Sequence, residues 1–407
     1  MRRPLPLPVV SFLFILATAL AVHAQTPSLQ QLFAFTCTTT SCPDGKEPDA
    51  LIVASDGNLY GVAEYSNTVT GVAGGGTIFK MTPAGQITVL YVFPENQTTG
   101  FFPNGYAPDA IAEGSDGMLY GAASVGGSTS ASAGTLWRIS RTGAGFQVLV
   151  RYCTSCTSGG FPNSIVAGTD GNLYGTTGYG GTFPSSGICE SLGCGVVFKL
   201  TTAGVYTVLH AFNGTSETSE PVGVIQASDG NLYGATGGNL SEGSVFKVTP
   251  SGQFSTLHLF GSGTYALAGV TQASDGLLYG FSHVVSAPAV ELFNITTGGS
   301  FQNLAQITQP LFKQFGLAQP IQASDGNLWT AAAEGGSGNW GRVLAVTTKG
   351  AIVQSLSFTS KNGSFATGKL VQLANGTLYG TTIKGGTTST GTTASGVIYT
   401  VTGLPAR

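Results

Sequence analysis

The sequence predicts an all-β fold, a seven-bladed β-propeller with four antiparallel strands per blade. Three observations predict it. The heptapeptide Ser-Asp-Gly-Asn-Leu-Tyr-Gly at Ser55–Gly61 recurs in seven copies, starting at Ser55, Ser115, Thr169, Ser228, Ser274, Ser324 and Ala374. The steps between copies are 60, 54, 59, 46, 50 and 50 residues, close to the length of a propeller blade. Finally, the last repeat lacks a strand that the N-terminus can supply.

Each repeat reads as four strands, a to d, counted outward from the propeller axis. In the first repeat these are Ala50–Ala54, Asn58–Ala63, Thr77–Thr82 and Gln86–Phe93. Asp56-Gly57 joins a to b and Ala84-Gly85 joins c to d, as tight turns in which glycine accepts positive φ. Tyr60, Tyr120, Tyr174, Tyr233, Tyr279, Trp329 and Tyr379 fill one aromatic slot on strand b. Phe79, Trp137, Phe198, Phe246, Phe293, Leu344 and Tyr399 fill the matching slot on strand c. Strand d ends in Phe93, Tyr152, Phe212, Phe260, Ile307 and Phe358, one short of a full set. Gln31-Leu32-Phe33-Ala34-Phe35 matches the missing strand, so Gln30–Phe35 is expected to complete the last blade and close the ring. Closure removes exposed sheet edges.

The first 24 residues read as an export signal. Arg2 and Arg3 precede the apolar run Val9–Val22, and Val22-His23-Ala24 offers small residues for cleavage before Gln25. The run is shorter than the roughly 20 residues that span a bilayer. The propeller is therefore expected over residues 25–407, exported to the cell envelope or beyond, with no membrane-spanning segment and as a monomer. Charged residues make up 9% of the chain and the net charge is −3. That balance offers no basic footprint for nucleic acid.

Six cysteines form three close pairs, Cys37 with Cys42, Cys153 with Cys156, and Cys189 with Cys194. In an exported chain they read as local disulfides. A metal or redox reading of Cys153-x-x-Cys156 lacks a second pair at zinc spacing. No metal or cofactor is expected.

Asp56-Gly57-Asn58-Leu59-Tyr60-Gly61, followed by Gly75-Gly76, Thr77-Ile78-Phe79-Lys80 and Leu90-Tyr91-Val92-Phe93, resembles the GloVer-type tandem repeat. That repeat belongs to the "choice-of-anchor" bacterial surface proteins. The resemblance covers about Leu29 to Thr402 and implies an exported propeller.

Candidate functional residues divide by rim. Asp56, Asp116, Asp170, Asp229, Asp275, Asp325 and Asn375 occur once per blade, so they read as turn residues rather than catalysts. Lys80, Arg138, Lys199 and Lys247 occupy a strand-c slot near those turns. His210 and His258 fall in a strand-d core slot, and His283 stands alone. The b–c and d–a loops emerge on the opposite rim and vary in length, which is where binding usually resides. Aromatic candidates there are Trp340, Phe101, Phe102, Tyr106, Phe161, Phe183, Phe312 and Phe315. The function expected is non-catalytic binding of an extracellular glycan, peptide or protein. The alternative is a hydrolase or lyase acting on polysaccharide, with acids drawn from Glu64, Asp109, Glu190, Glu242 and Glu334.

Overall fold

The structure, a computed structural model, describes residues 26–407 apart from 38–41, 68–72, 97, 128–131, 155, 185–188, 190, 215–216, 238–241, 287–288 and 309–316. The export signal expected at 1–24, Glu190, Phe312 and Phe315 lie outside the described residues. Seven antiparallel sheets form a propeller. In the first blade, strands Lys46–Val53, Leu59–Asn67, Thr77–Met81 and Ile87–Val92 pair in that order. Strand a thus starts before Ala50, and strand b runs past Ala63. A bulge between Pro48 and Leu51 absorbs the extra length and lets Lys46 pair with Tyr65. No helix among the described residues is long and apolar enough to cross a membrane.

The last blade consists of Val371–Gln372, Leu378–Thr382, Val397–Thr402 and, outermost, Ser28–Ala34. Register runs from Ser28 opposite Thr402 to Ala34 opposite Val397. Phe35 extends the pairing, donating its N–H to the Gly396 carbonyl and accepting one from Ser395. Phe35 is fully buried beside Phe79 and Ile398. The first and last blades therefore share a core.

The glycine that follows the aromatic of strand b has a packing cause. A Cβ at Gly61 would lie 2.5 Å from the ring of Phe79, and the strand-c aromatics crowd Gly121, Gly175, Gly234, Gly280 and Gly380 in the same way. Blade six breaks the pattern on both sides at once. There the position is Thr330, paired with Leu344, a smaller partner.

Neighbouring blades are joined at the Asp-Gly rim by side chains. The main-chain N–H groups of Thr169, Ser228, Ser274 and Ser324 donate to the amide oxygens of Gln226, Gln272, Gln322 and Gln372 on the next blade, at 2.6–3.0 Å. Each glutamine then donates its own N–H to the glycine carbonyl four residues on, in its own turn.

The three cysteine pairs are disulfides, Cys37–Cys42, Cys153–Cys156 and Cys189–Cys194. The first two sit in d–a connections and the third in a b–c connection, all on the rim opposite the Asp-Gly turns.

Candidate site at the mouth of the axial channel

The Asp-Gly rim is structural. Asp56 Oδ1 accepts the Asn58 N–H at 3.1 Å, and Oδ2 accepts the Tyr60 hydroxyl at 2.9 Å. The same two bonds recur at Asp116, Asp170, Asp229 and Asp275. At Asp325 the indole of Trp329 takes the place of the phenol. Asn375 keeps the turn bond to Thr377, while Tyr379 turns to the Pro83 carbonyl of the first blade. Burial alone would raise the Asp56 carboxyl. The bonds from Asn58 and Tyr60 and the Lys80 charge at 3.5 Å outweigh it and hold the group down at about 2. Lys247 pairs likewise with Asp229 at 3.6 Å, whereas Arg138 bonds Thr202 and Gln147 instead. His210 and His258 stack on Phe254 and Phe301 at 3.8 and 3.6 Å, which makes them packing residues.

The opposite end differs from blade to blade. A cavity of about 750 Å³ runs along the axis, lined by strand a of blades one to four and by the segments leading into strand a of blades five to seven. At one offset ahead of the turn, the seven blades present Asp49, Asp109, Asn163, Val222, Ala268, Ala318 and Gly368 to it. Acidic and amide groups thus stand on blades one to three, facing small apolar side chains on blades four to six. Gln319 and Lys369 follow one residue later on blades six and seven.

Local sequence explains the placement. In blades one to four a proline stands within the first three residues of strand a (Pro48, Pro108, Pro162, Pro221), and the register shifts immediately after it. Proline cannot donate to the ladder, and a bulge re-aims the following side chain. That side chain is Asp49, Asp109, Asn163 or Val222. The residue before each proline, Glu47, Ala107, Phe161 or Glu220, has φ between 52° and 57°. Each gives its N–H to a carbonyl of the preceding blade. This left-handed latch costs on the order of 1–3 kcal/mol and accounts for Phe161 as a blade joint.

Glu64, at the far end of strand b in blade one, joins Asp49 and Asp109. Asp49 lines the channel half-buried; burial raises its carboxyl to about 6, against a hydrogen bond from Thr367. Burial also raises Glu64 to about 7, helped by the charges of Asp49 and Glu47 and opposed by the Tyr65 hydroxyl. Asp109 is raised well above the carboxylate range by burial, then by Asp49 and Glu64. Its Oδ1 has neither solvent access nor a hydrogen-bond partner. Lys369 shares the cavity with its side chain exposed to the channel, and desolvation by the surrounding ring lowers its ammonium to about 8. Among the described residues, no three His, Cys, Asp or Glu side chains are placed to hold a metal ion.

Of the acids expected on this rim, the structure therefore unites Glu64 and Asp109. Glu242 is exposed and Glu334 half-buried, and neither is among the charges that shift this cluster. Asp49 and Lys369 are site residues that sequence reasoning misses. The signal for Asp49 is the recurrent proline near the start of strand a, which marks how far that strand runs toward the rim. The aromatics fall into several places. Phe102 packs on Tyr106 with ring centroids 4.9 Å apart, and the Tyr106 phenol helps raise that of Tyr65, Glu64's partner, after burial and the charges of Glu64 and Glu47. Phe161 meets Tyr179 edge-on at 5.4 Å. Phe101 and Phe183 are half-buried, and Trp340 is 40% exposed.

The model of the Gloeobacter/Verrucomicrobia repeat matches residues 18–189 and 109–316, together well over half of the chain. The chain belongs to the Gloeobacter/Verrucomicrobia repeat family. Among curated proteins none is significantly similar. Among solved structures, the propeller is similar to the extracellular domain of a protein described as a hybrid two-component system from B. thetaiotaomicron. That match has 14% identity and a TM-score of 0.53, covers 89% of this chain, and spans only 40% of that one. It is also similar to a candidate 6-phosphogluconolactonase from Bacteroides fragilis, with 15% identity, a TM-score of 0.52, and 76% and 84% of the two chains covered. A periplasmic gluconolactonase from Pseudomonas aeruginosa shares 14% identity at a TM-score of 0.50, over 93% and 98%. At such identities the likeness is one of fold alone.

Proposed function

We propose that this repeat protein is an exported, non-catalytic binding module that takes an extracellular glycan on the variable rim, with one end of the sugar chain in the axial channel. The reading is carried by the broken symmetry of the channel mouth. A fold of seven similar blades presents Asp49, Asp109 and Asn163 on one side and Val222, Ala268 and Ala318 on the other. A pyranose has a hydroxyl rim and an apolar face, which suits walls of that kind. The cavity of about 750 Å³ also falls in the usual range for small-molecule sites. Three disulfides support export, because such bonds persist in oxidising compartments.

A hydrolase or lyase acting on polysaccharide is the second reading, favoured by one observation. Asp49 and Glu64 lie at about 6 and 7, where a carboxyl can serve as general acid or base near neutral pH. A glycan binding screen run alongside turnover assays on the bound glycans separates the two. Binding without turnover, lost on filling the channel with Ala268→Trp, supports the binding module. Turnover that disappears in Glu64→Gln or Asp109→Asn makes the protein an enzyme instead. Binding unaffected by Ala268→Trp removes the channel from either account.

A further inference from the structure

The acids at the channel mouth exceed the cations that face them. Asp49, Glu64 and Asp109 come together from blades one and two, and Glu47 adds a fourth acid close enough to act on Glu64. Two lysines oppose these four. Lys46 lies over the Tyr65 ring at 5.5 Å, and Lys369 makes no ion pair or hydrogen bond among the described residues. The remaining titratable neighbours are the phenols of Tyr65 and Tyr106. Farther along the channel, Glu113 is neutralised by Arg141 at 3.2 Å.

One atom in this cluster lacks a partner. Asp109 lines the cavity and is partly exposed to it, while its Oδ1 is shut off from solvent and accepts no hydrogen bond from protein. Nothing here is arranged as a metal coordination sphere among the described residues. An ammonium group needs less, only acceptors within reach of its three N–H bonds. The opposite wall of Val222, Ala268 and Ala318 supplies apolar contact for a ring. A lysine side chain alone would leave most of the cavity empty.

Building on the binding reading above, we infer that the axial pocket selects a glycan with a free amino group, whose ammonium seats between Asp49 and Asp109 of the channel wall. Burial and mutual repulsion hold these carboxyls partly protonated near neutral pH. An arriving ammonium favours their charged forms, so protons leave the carboxyls on binding, and an amine that arrives neutral takes one of them up.

The test is titration calorimetry on the full exported chain with three probes: a β-1,4-linked glucosamine tetramer, its fully N-acetylated counterpart, and trilysine. Each is run near neutral pH in phosphate and in Tris, whose ionisation heats differ. The glucosamine tetramer is expected to bind at least tenfold tighter than the acetylated one, and the difference in heat between the buffers counts the net protons exchanged. Asp49→Asn/Asp109→Asn is expected to abolish that preference, and Lys369→Met to strengthen amine binding severalfold. Thermal melts of both variants establish that they fold. Equal binding of the two tetramers, or binding of the acetylated one alone, overturns the amine selectivity and leaves the glycan reading standing. Trilysine bound as tightly as the glucosamine tetramer overturns the assignment to a sugar. No binding by any glycan in the wider screen sinks both.

Discussion

Ser55 donates both its main-chain N–H and its hydroxyl to the Glu113 carboxylate of the next blade, at 2.6 and 2.9 Å. Arg141 completes the joint, reaching Ser55 Oγ at 3.0 Å and Glu113 at 3.2 Å. Four other joints use glutamine as acceptor at the same offset, so Glu113 is a charged version of one repeated bolt. Gln272 makes two bonds, accepting from Ser228 and donating to Gly276. A typical bond contributes about 0.5–1.5 kcal/mol net, so Gln272→Ala should lower unfolding free energy by roughly 1–3 kcal/mol. Glu113→Gln should be close to neutral, because glutamine serves this joint elsewhere in the ring. Chemical denaturation of both variants checks the pair, and a large loss in Glu113→Gln would refute the equivalence.

Ring closure rests on the outermost strand of the last blade. Phe35 is fully buried between the first and last blades, and Phe35→Ala should cost about 3–5 kcal/mol. Removing residues 28–35 also leaves the Val397–Thr402 edge unpaired, a template for association. The truncated chain should aggregate in size-exclusion chromatography. A monomeric truncation with an unchanged melt would show that closure is dispensable.

The repeat is legible because each blade states it again. Tyr60 and Phe79 mark slots that recur, and the shortage at strand d points directly to Phe33 and Phe35. The Asp-Gly turns are also legible as turns, since Asn375 substitutes for aspartate in one of them. Their second task, accepting the Tyr60-type hydroxyl, is not, because it depends on a rotamer. The site is less legible for a related reason. Asp49 precedes a bulge, and alternation alone puts the start of strand a at Ala50. Lys369 sits on blade seven, one of three blades where no proline marks that point. Glu64 and Asp109 are visible as acids near strand ends, but their meeting is set by ring geometry between two blades.

The three tryptophans should separate stability from recognition. Trp137 and Trp329 are fully buried, so truncating either to alanine should cost roughly 3–5 kcal/mol. Trp329 also donates its indole N–H to Asp325 at 3.0 Å. Trp340 is 40% exposed, and Trp340→Ala should change stability by no more than about 0.5 kcal/mol. If the rim binds glycan, that variant should bind more weakly with an unchanged melt. Equal losses of stability in all three would place Trp340 in the core energetics.

The carboxyls at the channel mouth should make stability depend on pH in a defined direction. Asp49 rises from 3.8 to about 6, Glu64 from 4.5 to about 7, and Asp109 well above its usual range. A folded-state pKa above the unfolded one means the folded chain holds the proton more tightly. Their contribution is therefore fully present below about pH 4 and is lost as pH rises through 6 and 7. Other groups act in opposition. Asp56, held at about 2, loses its contribution as pH falls toward that value. His210, His258 and His283, lowered by burial, oppose folding as pH falls below 6.5. Comparing wild type with Asp49→Asn/Glu64→Gln/Asp109→Asn cancels those groups and isolates the cluster. The triple variant should match wild type in melting temperature near pH 4 and exceed it increasingly from pH 5 to 8. A constant offset across that range would mean that the three carboxyls are not strained by burial in the folded chain. A variant that melts lower at pH 8 would mean that their charges stabilise it.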